Sequence, residues 1–110
     1  MYDLVIIGGG PAGVAAGVYA ARKRIKTLYL TDSFGGQSLL SPEIQNWIGI
    51  VTMTGLEMAE KVEQHLRTYA EDVVEIKTGE RVSKIEKINK IFKVITAKGE
   101  SFETKALILA

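Results

Sequence analysis

The chain has 110 residues, 46% hydrophobic and 25% charged, the balance of one small globular domain. Fourteen Lys and Arg against thirteen Asp and Glu leave a net charge of +1, which argues against a nucleic-acid partner and against a polybasic membrane anchor. With no cysteine, the chain holds no disulfide, thiolate metal site or redox dithiol of its own.

Residues 4–21 carry no charged side chain, yet they lack the layout of a signal peptide. Asp3 precedes the run, and the basic cluster Arg22, Lys23 and Arg24 follows it. Gly8, Gly9, Gly10 and Pro11 stand together inside it, a cluster that a membrane span rarely carries. A cytoplasmic chain with no membrane partner is the expectation. Residues 3–7 read instead as a strand buried on both faces, bounded by glycine. A helix is expected over 11–24, with Pro11 in its first turn and the basic residues in its last, where cations suit the helix dipole. Thr27–Leu30 is a second short apolar strand, so the chain opens as β–turn–α–β, the start of a parallel sheet.

Residues 31–55 are irregular and glycine-rich. Thr54 and Glu57 then have capping-box spacing, and the helix they begin runs to about Ala70, with Ala59, Val62, Leu66 and Tyr69 on its apolar face. From residue 73 the texture changes to short β-rich runs at 73–77, 80–88, 91–96 and 101–104, with a hairpin turn at 97–100. Residues 106–110 form a further wholly apolar run, expected to lie in a covered sheet. Tyr2, Tyr19 and Tyr29 read as core, Trp47 as packing beneath its loop, and His65 as a helix residue with no partner for catalysis or metal binding. The fold class is α/β: a Rossmann-type parallel sheet with a small antiparallel β addition.

The chemistry concentrates at Gly8-x-Gly10-x-x-Gly13, between a buried strand and a helix. Gly8 permits the tight turn, Gly10 lets a pyrophosphate approach the backbone, and Gly13 lets helix and strand pack closely. Gly9, Pro11 and Ala12 complete the turn, and the helix start offers N–H groups and partial positive charge to phosphate. This motif serves FAD and NAD(P) alike. An acidic residue at the end of the second strand usually binds the adenosine ribose. Here Thr31 holds that position and Asp32 follows, so the carboxylate is displaced by one residue or replaced by a hydroxyl; Asp32 equally suits the start of a turn.

The stretches Ile7-Gly-Gly-Gly-Pro-Ala-Gly13, Gly35-Gly-Gln37 and Ile44-Gln-Asn-Trp-Ile-Gly49 resemble, in order and separation, the low-molecular-weight thioredoxin reductase family. The third departs from the family's usual pattern at Gln45, often Glu there, and at Ile48, often Pro. The resemblance implies an FAD-binding segment. In it the first glycine cluster holds the pyrophosphate, while Gly35, Gly36, Gln37 and Asn46 lie along the flavin. An amide can donate and accept at the flavin's pyrimidine edge, and the two glycines leave room for backbone beside the ring. It also implies an adenine contact from backbone near Val82, and a place for Ala110 at the mouth of the site, where the family continues with Thr-Gly.

By the same resemblance, NADPH or NADH reduces the flavin from outside this segment, and electrons pass to a thioredoxin-like or other disulfide acceptor. No second glycine fingerprint and no Cys-x-x-Cys is present, so residues 1–110 are expected to be the N-terminal part of a longer enzyme, with the rest of that enzyme as a partner. A homodimer through the open apolar strand also suits the pattern. Two alternatives share these residues: the FAD half of a ferredoxin- or quinone-linked reductase, and a non-catalytic dinucleotide-binding module.

Overall fold

The computed structural model describes all 110 residues. Strand β1 (Tyr2–Ile7) leads through the glycine turn into helix α1 (Pro11–Arg22) and strand β2 (Thr27–Leu30). A short 3-10 turn (Gly36–Leu40) precedes helix α2 (Gly55–Ala70), and strands β3 (Val74–Lys77), β4 (Val82–Ile88), β5 (Ile91–Thr96) and β6 (Ser101–Leu109) complete the chain. The six strands form one sheet in the order β3-β2-β1-β6-β5-β4. Pairing is parallel among β3, β2, β1 and β6 and antiparallel among β6, β5 and β4.

Two-residue alternation distributes the apolar strands over two cores. Ile6 and Tyr29 face α1 and α2, where they meet Val14, Leu66 and Val74. Val5, Leu28 and Leu30 face the other way and meet Val94 of β5, with Phe102 and Leu107 of β6 packed beside them. The antiparallel strands therefore cover the face of the parallel sheet that the helices leave open. Helices on one side and a β layer on the other explain why β2 is buried at every position.

Strand β6 joins the two halves. Its first residues pair with β5, from Ser101 opposite Ile95 to Thr104 opposite Phe92, and the rest runs parallel to β1 as far as Leu109 opposite Ile7. The separate runs at 101–104 and 106–110 are thus one strand. Lys105, which divides them in sequence, points its ammonium outward to Asp3 at 3.1 Å. The expectation that 106–110 is fully covered is corrected: Leu109 is 67% exposed and Ile108 38%. Helix α1 packs over β1, β2 and β3, and α2 packs on α1 and β3, rather than over β6.

Three further readings change. Helix α1 stops at Arg22, because the chain reverses toward β2 through Arg24 in the left-handed region, φ 55°. The N–H groups of Lys23 and Arg24 close that end on the carbonyls of Tyr19 and Ala21. Tyr19 is not core: α1 buries Gly13, Val14, Gly17, Ala20 and Ala21, which leaves Tyr19 on the wet side at 68% exposure. Trp47 is half exposed beside the groove between α1 and α2. The capping box at Thr54 and Glu57 forms in both directions, each bond 3.1 Å. These contacts hold the Glu57 carboxyl below its ordinary range, first through the Thr54 backbone N–H and then through its side chain.

Candidate dinucleotide site

The carboxyl ends of β1, β2 and β6 lie at one edge of the sheet, where an open α/β sheet places its ligand. Backbone bonds fasten that edge. The Gly8 N–H donates to the Leu30 carbonyl at 3.0 Å, Ala110 N–H to Ile7 at 2.9 Å, and Gly35 N–H to Gly9 at 2.8 Å. Across the next gap, Glu80 N–H donates to the Thr31 carbonyl at 3.1 Å and Gly79 N–H to Asp32 at 2.9 Å. Above this floor opens a cleft of about 610 Å³, a size typical of small-molecule and cofactor sites.

Each glycine of the fingerprint answers a different constraint. Gly8 has φ 127°, a conformation that other residues rarely adopt. A Cβ on Gly13 would lie 2.1 Å from the Gly8 carbonyl oxygen, so helix and strand could not approach as they do. Gly10 is different again: its φ of −77° suits any residue, and a Cβ there would meet no protein atom within 4 Å. The space beside Gly10 belongs to the cleft, next to the start of α1. The helix ladder begins with Val14 N–H donating to Gly10, and no side chain caps this end. The N–H groups of Ala12 and Gly13 consequently lack helical acceptors, which suits an anion beside Gly10.

A residue read from sequence only as core positions this turn. The Tyr29 hydroxyl donates to the Gly8 carbonyl at 2.5 Å, and its ring stacks on Phe34 with centroids 5.8 Å apart. Burial pushes the Tyr29 hydroxyl well above the ordinary tyrosine range, so it remains a donor at neutral pH. A Cβ at Gly13 would also come within 3.1 Å of that hydroxyl, so the glycine and the tyrosine are parts of one packing solution. Only the tertiary fold brings position 29 beneath position 8.

Gly8, Gly9, Gly10, Pro11, Ala12 and Gly13 all line the cleft, as do Thr31, Asp32, Gly36, Gln37, Val82 and Ala110. Gly36 sits against Gly10, where a Cβ would lie 3.3 Å from the Gly10 Cα. Gly35 and Asn46 do not line it. Gly35, at φ 105°, turns toward Leu39 and Ala59, so its missing side chain makes room for protein packing. Asn46 is exposed on the irregular segment before α2. At the second strand's end, the buried Thr31 hydroxyl donates to the Ser33 carbonyl at 2.7 Å. The exposed Asp32 carboxylate lies 3.6 Å from the Arg81 guanidinium. Glu80 and Arg81, absent from the sequence-based site, line the cleft beside them.

Fold and cleft together define an α/β module of the Rossmann type: a glycine turn on a parallel sheet edge, opening a helix whose N–H groups are free. Comparison with known proteins narrows this class. The family model described as pyridine nucleotide-disulphide oxidoreductase matches residues 2–110, and the chain belongs to that family. It is 36% identical over 109 residues to an alkyl hydroperoxide reductase component of Pseudomonas aeruginosa, covering 99% of this chain and 21% of that protein. It is 33% identical to an NADH dehydrogenase of Bacillus subtilis, with the same coverages. Among solved structures it superposes on thioredoxin reductase of Lactococcus lactis with a TM-score of 0.90 at 38% identity, covering 99% of this chain and 35% of that one. The Streptococcus pyogenes thioredoxin reductase gives 0.89 at 34% identity, covering 99% and 34%. The chain thus spans about a fifth of these curated relatives and about a third of these structures.

Proposed function

We propose that residues 1–110 are the N-terminal part of the FAD-binding domain of a thioredoxin-reductase-like flavoprotein, which passes electrons from NADPH or NADH through FAD to a disulfide acceptor. The observation that carries this reading is the space at Gly10, shaped by the absence of a Cβ and bordered by unpaired helix N–H groups. A pyrophosphate fits there by charge and by size. Bound FAD would supply two-electron chemistry between a nicotinamide and a disulfide.

This chain's own work is binding and orientation. Gly8, Gly9 and Gly10 bring backbone close to the phosphates, and the Ala12 and Gly13 N–H groups donate to them. Gly36 and Gln37 lie on the same cleft, with Gln37 offering an amide that can both donate and accept at the flavin's polar edge. Gly35 and Asn46 lie outside the cleft, where Gly35 makes room for Leu39 and Ala59, and the backbone near Val82 meets adenine in this reading. With no cysteine among the 110 residues, disulfide exchange belongs to other residues of the enzyme.

The direct test is to purify the full-length protein carrying this segment, denature it, and identify the released cofactor by chromatography. FAD is expected, with a yellow protein before denaturation. Release of a nicotinamide nucleotide alone would overturn the flavin assignment.

A further inference from the structure

The adenosine end of the cleft lacks the carboxylate that this fold ordinarily presents from its second strand. Thr31 occupies that position, and its hydroxyl is already committed to Ser33. Asp32, the next residue, is exposed and lies 3.6 Å from Arg81. A third carboxylate stands beside them. Glu80 lines the cleft, and its backbone N–H donates to the Thr31 carbonyl, which places it next to the end of β2.

Its side chain is only 9% exposed, and its Oε2 is buried without any hydrogen-bond partner. The other oxygen lies 3.8 Å from the Lys98 ammonium, a loose contact with a side chain that is itself mostly in water. A buried carboxylate oxygen with no donor is costly, so Oε2 calls for a partner from outside the protein, an ordered water or a ligand donor in the cleft. The terminal torsion of a glutamate is broad, so either oxygen can turn toward a donor in the cleft.

We propose that Glu80 is the ribose-binding carboxylate of this site, accepting hydrogen bonds from the 2′ and 3′ hydroxyls of the FAD adenosine. The role falls to the residue entering β4 instead of the end of β2. This assignment rests on the flavin reading above. Ribose hydroxyls are neutral donors that match an acceptor-only carboxylate. The pyrophosphate would be repelled by Glu80 and is served by the α1 terminus instead. Lys98 offsets part of the carboxylate's charge without filling its acceptor sites.

The experiment strips the full-length protein of cofactor and titrates it with FAD and with an analogue lacking both adenosine ribose hydroxyls. Wild type is expected to bind FAD about a hundredfold more tightly than the analogue, the scale of two hydrogen bonds to a charged acceptor. Glu80→Ala is expected to bind the two equally, while Lys98→Ala keeps the wild-type preference. Equal binding of the two ligands by wild type would overturn the proposal, a result that stands even where Glu80→Ala fails to fold. A preference surviving in Glu80→Ala, or lost equally in Lys98→Ala, would also overturn it, the latter because a structural ion pair would then account for the effect. Wild type that binds neither ligand would sink the flavin reading itself, and this proposal with it.

Discussion

Alanine at Gly10 and alanine at Gly13 should fail in opposite ways, although the two glycines lie three residues apart in one motif. At Gly13 the new Cβ would sit 2.1 Å from the Gly8 carbonyl oxygen. That is roughly 1 Å inside normal contact, against backbone that cannot rotate aside. Overpacking of this kind costs about 1–3 kcal/mol, and displacement of the turn weakens the Tyr29–Gly8 hydrogen bond by about another 1 kcal/mol. Alanine's better helix propensity offsets at most about 1 kcal/mol, leaving a net loss of about 1–4 kcal/mol. At Gly10 the Cβ meets no protein atom, and the backbone is already extended. Reduced freedom of the unfolded chain and a slightly poorer N-cap nearly cancel, so stability should change by less than about 0.5 kcal/mol.

Ligand binding reverses the order of severity. A methyl group at Gly10 would occupy the position proposed for the phosphate and break about two charge-assisted hydrogen bonds, about 3–6 kcal/mol, or roughly a hundredfold or more in Kd. Urea unfolding of the cofactor-free variants measures the first effect, and fluorescence titration with FAD measures the second. A stable Gly10→Ala protein that binds FAD as wild type does would refute the placement of the pyrophosphate. A Gly13→Ala protein of wild-type stability would refute the close contact of α1 with the glycine turn.

Tyr29→Phe should lower stability by about 1–2 kcal/mol by leaving the Gly8 carbonyl without its buried donor, read by chemical denaturation. Thr54→Ala should cost about 1 kcal/mol through loss of the α2 cap, read the same way. Because the Glu57 carboxyl titrates below its ordinary value of 4.5, its contribution is present above that pH and lost as pH falls through the lowered value. The stability gap between wild type and Glu57→Ala should therefore close on acidification below pH 4.5, and a gap independent of pH would contradict the capping box. The Tyr2 hydroxyl is pushed up from 10.0 to about 12 by burial, then by its hydrogen bond to Glu75 and by that carboxylate's charge. Its contribution is complete below pH 10 and lost as pH rises toward 12, so Tyr2→Phe should flatten the alkaline fall in the unfolding midpoint.

Local patterns carried most of the architecture. Unbroken apolar runs marked β1 and β2, glycine spacing marked the turn between β1 and α1, and Thr54 with Glu57 marked the start of α2, because each feature depends on neighbours within a few residues. The sequence by itself therefore determined a βαβ unit with a dinucleotide fingerprint, and resemblance pointed to the family to which the chain belongs. Long-range pairing decided the rest. Whether 101–104 and 106–110 were one strand depended on β1 and β5 flanking opposite edges of β6. The exposure of Tyr19 depended on which side of α1 met α2, and that of Leu109 on where the helices stopped covering the sheet. The site divides in the same way. Gly8, Gly10 and Gly13 are legible because backbone geometry and close approach leave a mark on residue type. Tyr29 and Glu80 are not, because a tyrosine in an apolar strand and a glutamate before a strand look ordinary in sequence. They acquire their positions only when β2 lies against β1 and the chain entering β4 closes on Thr31, contacts that span 21 residues in one case and join separate elements in the other.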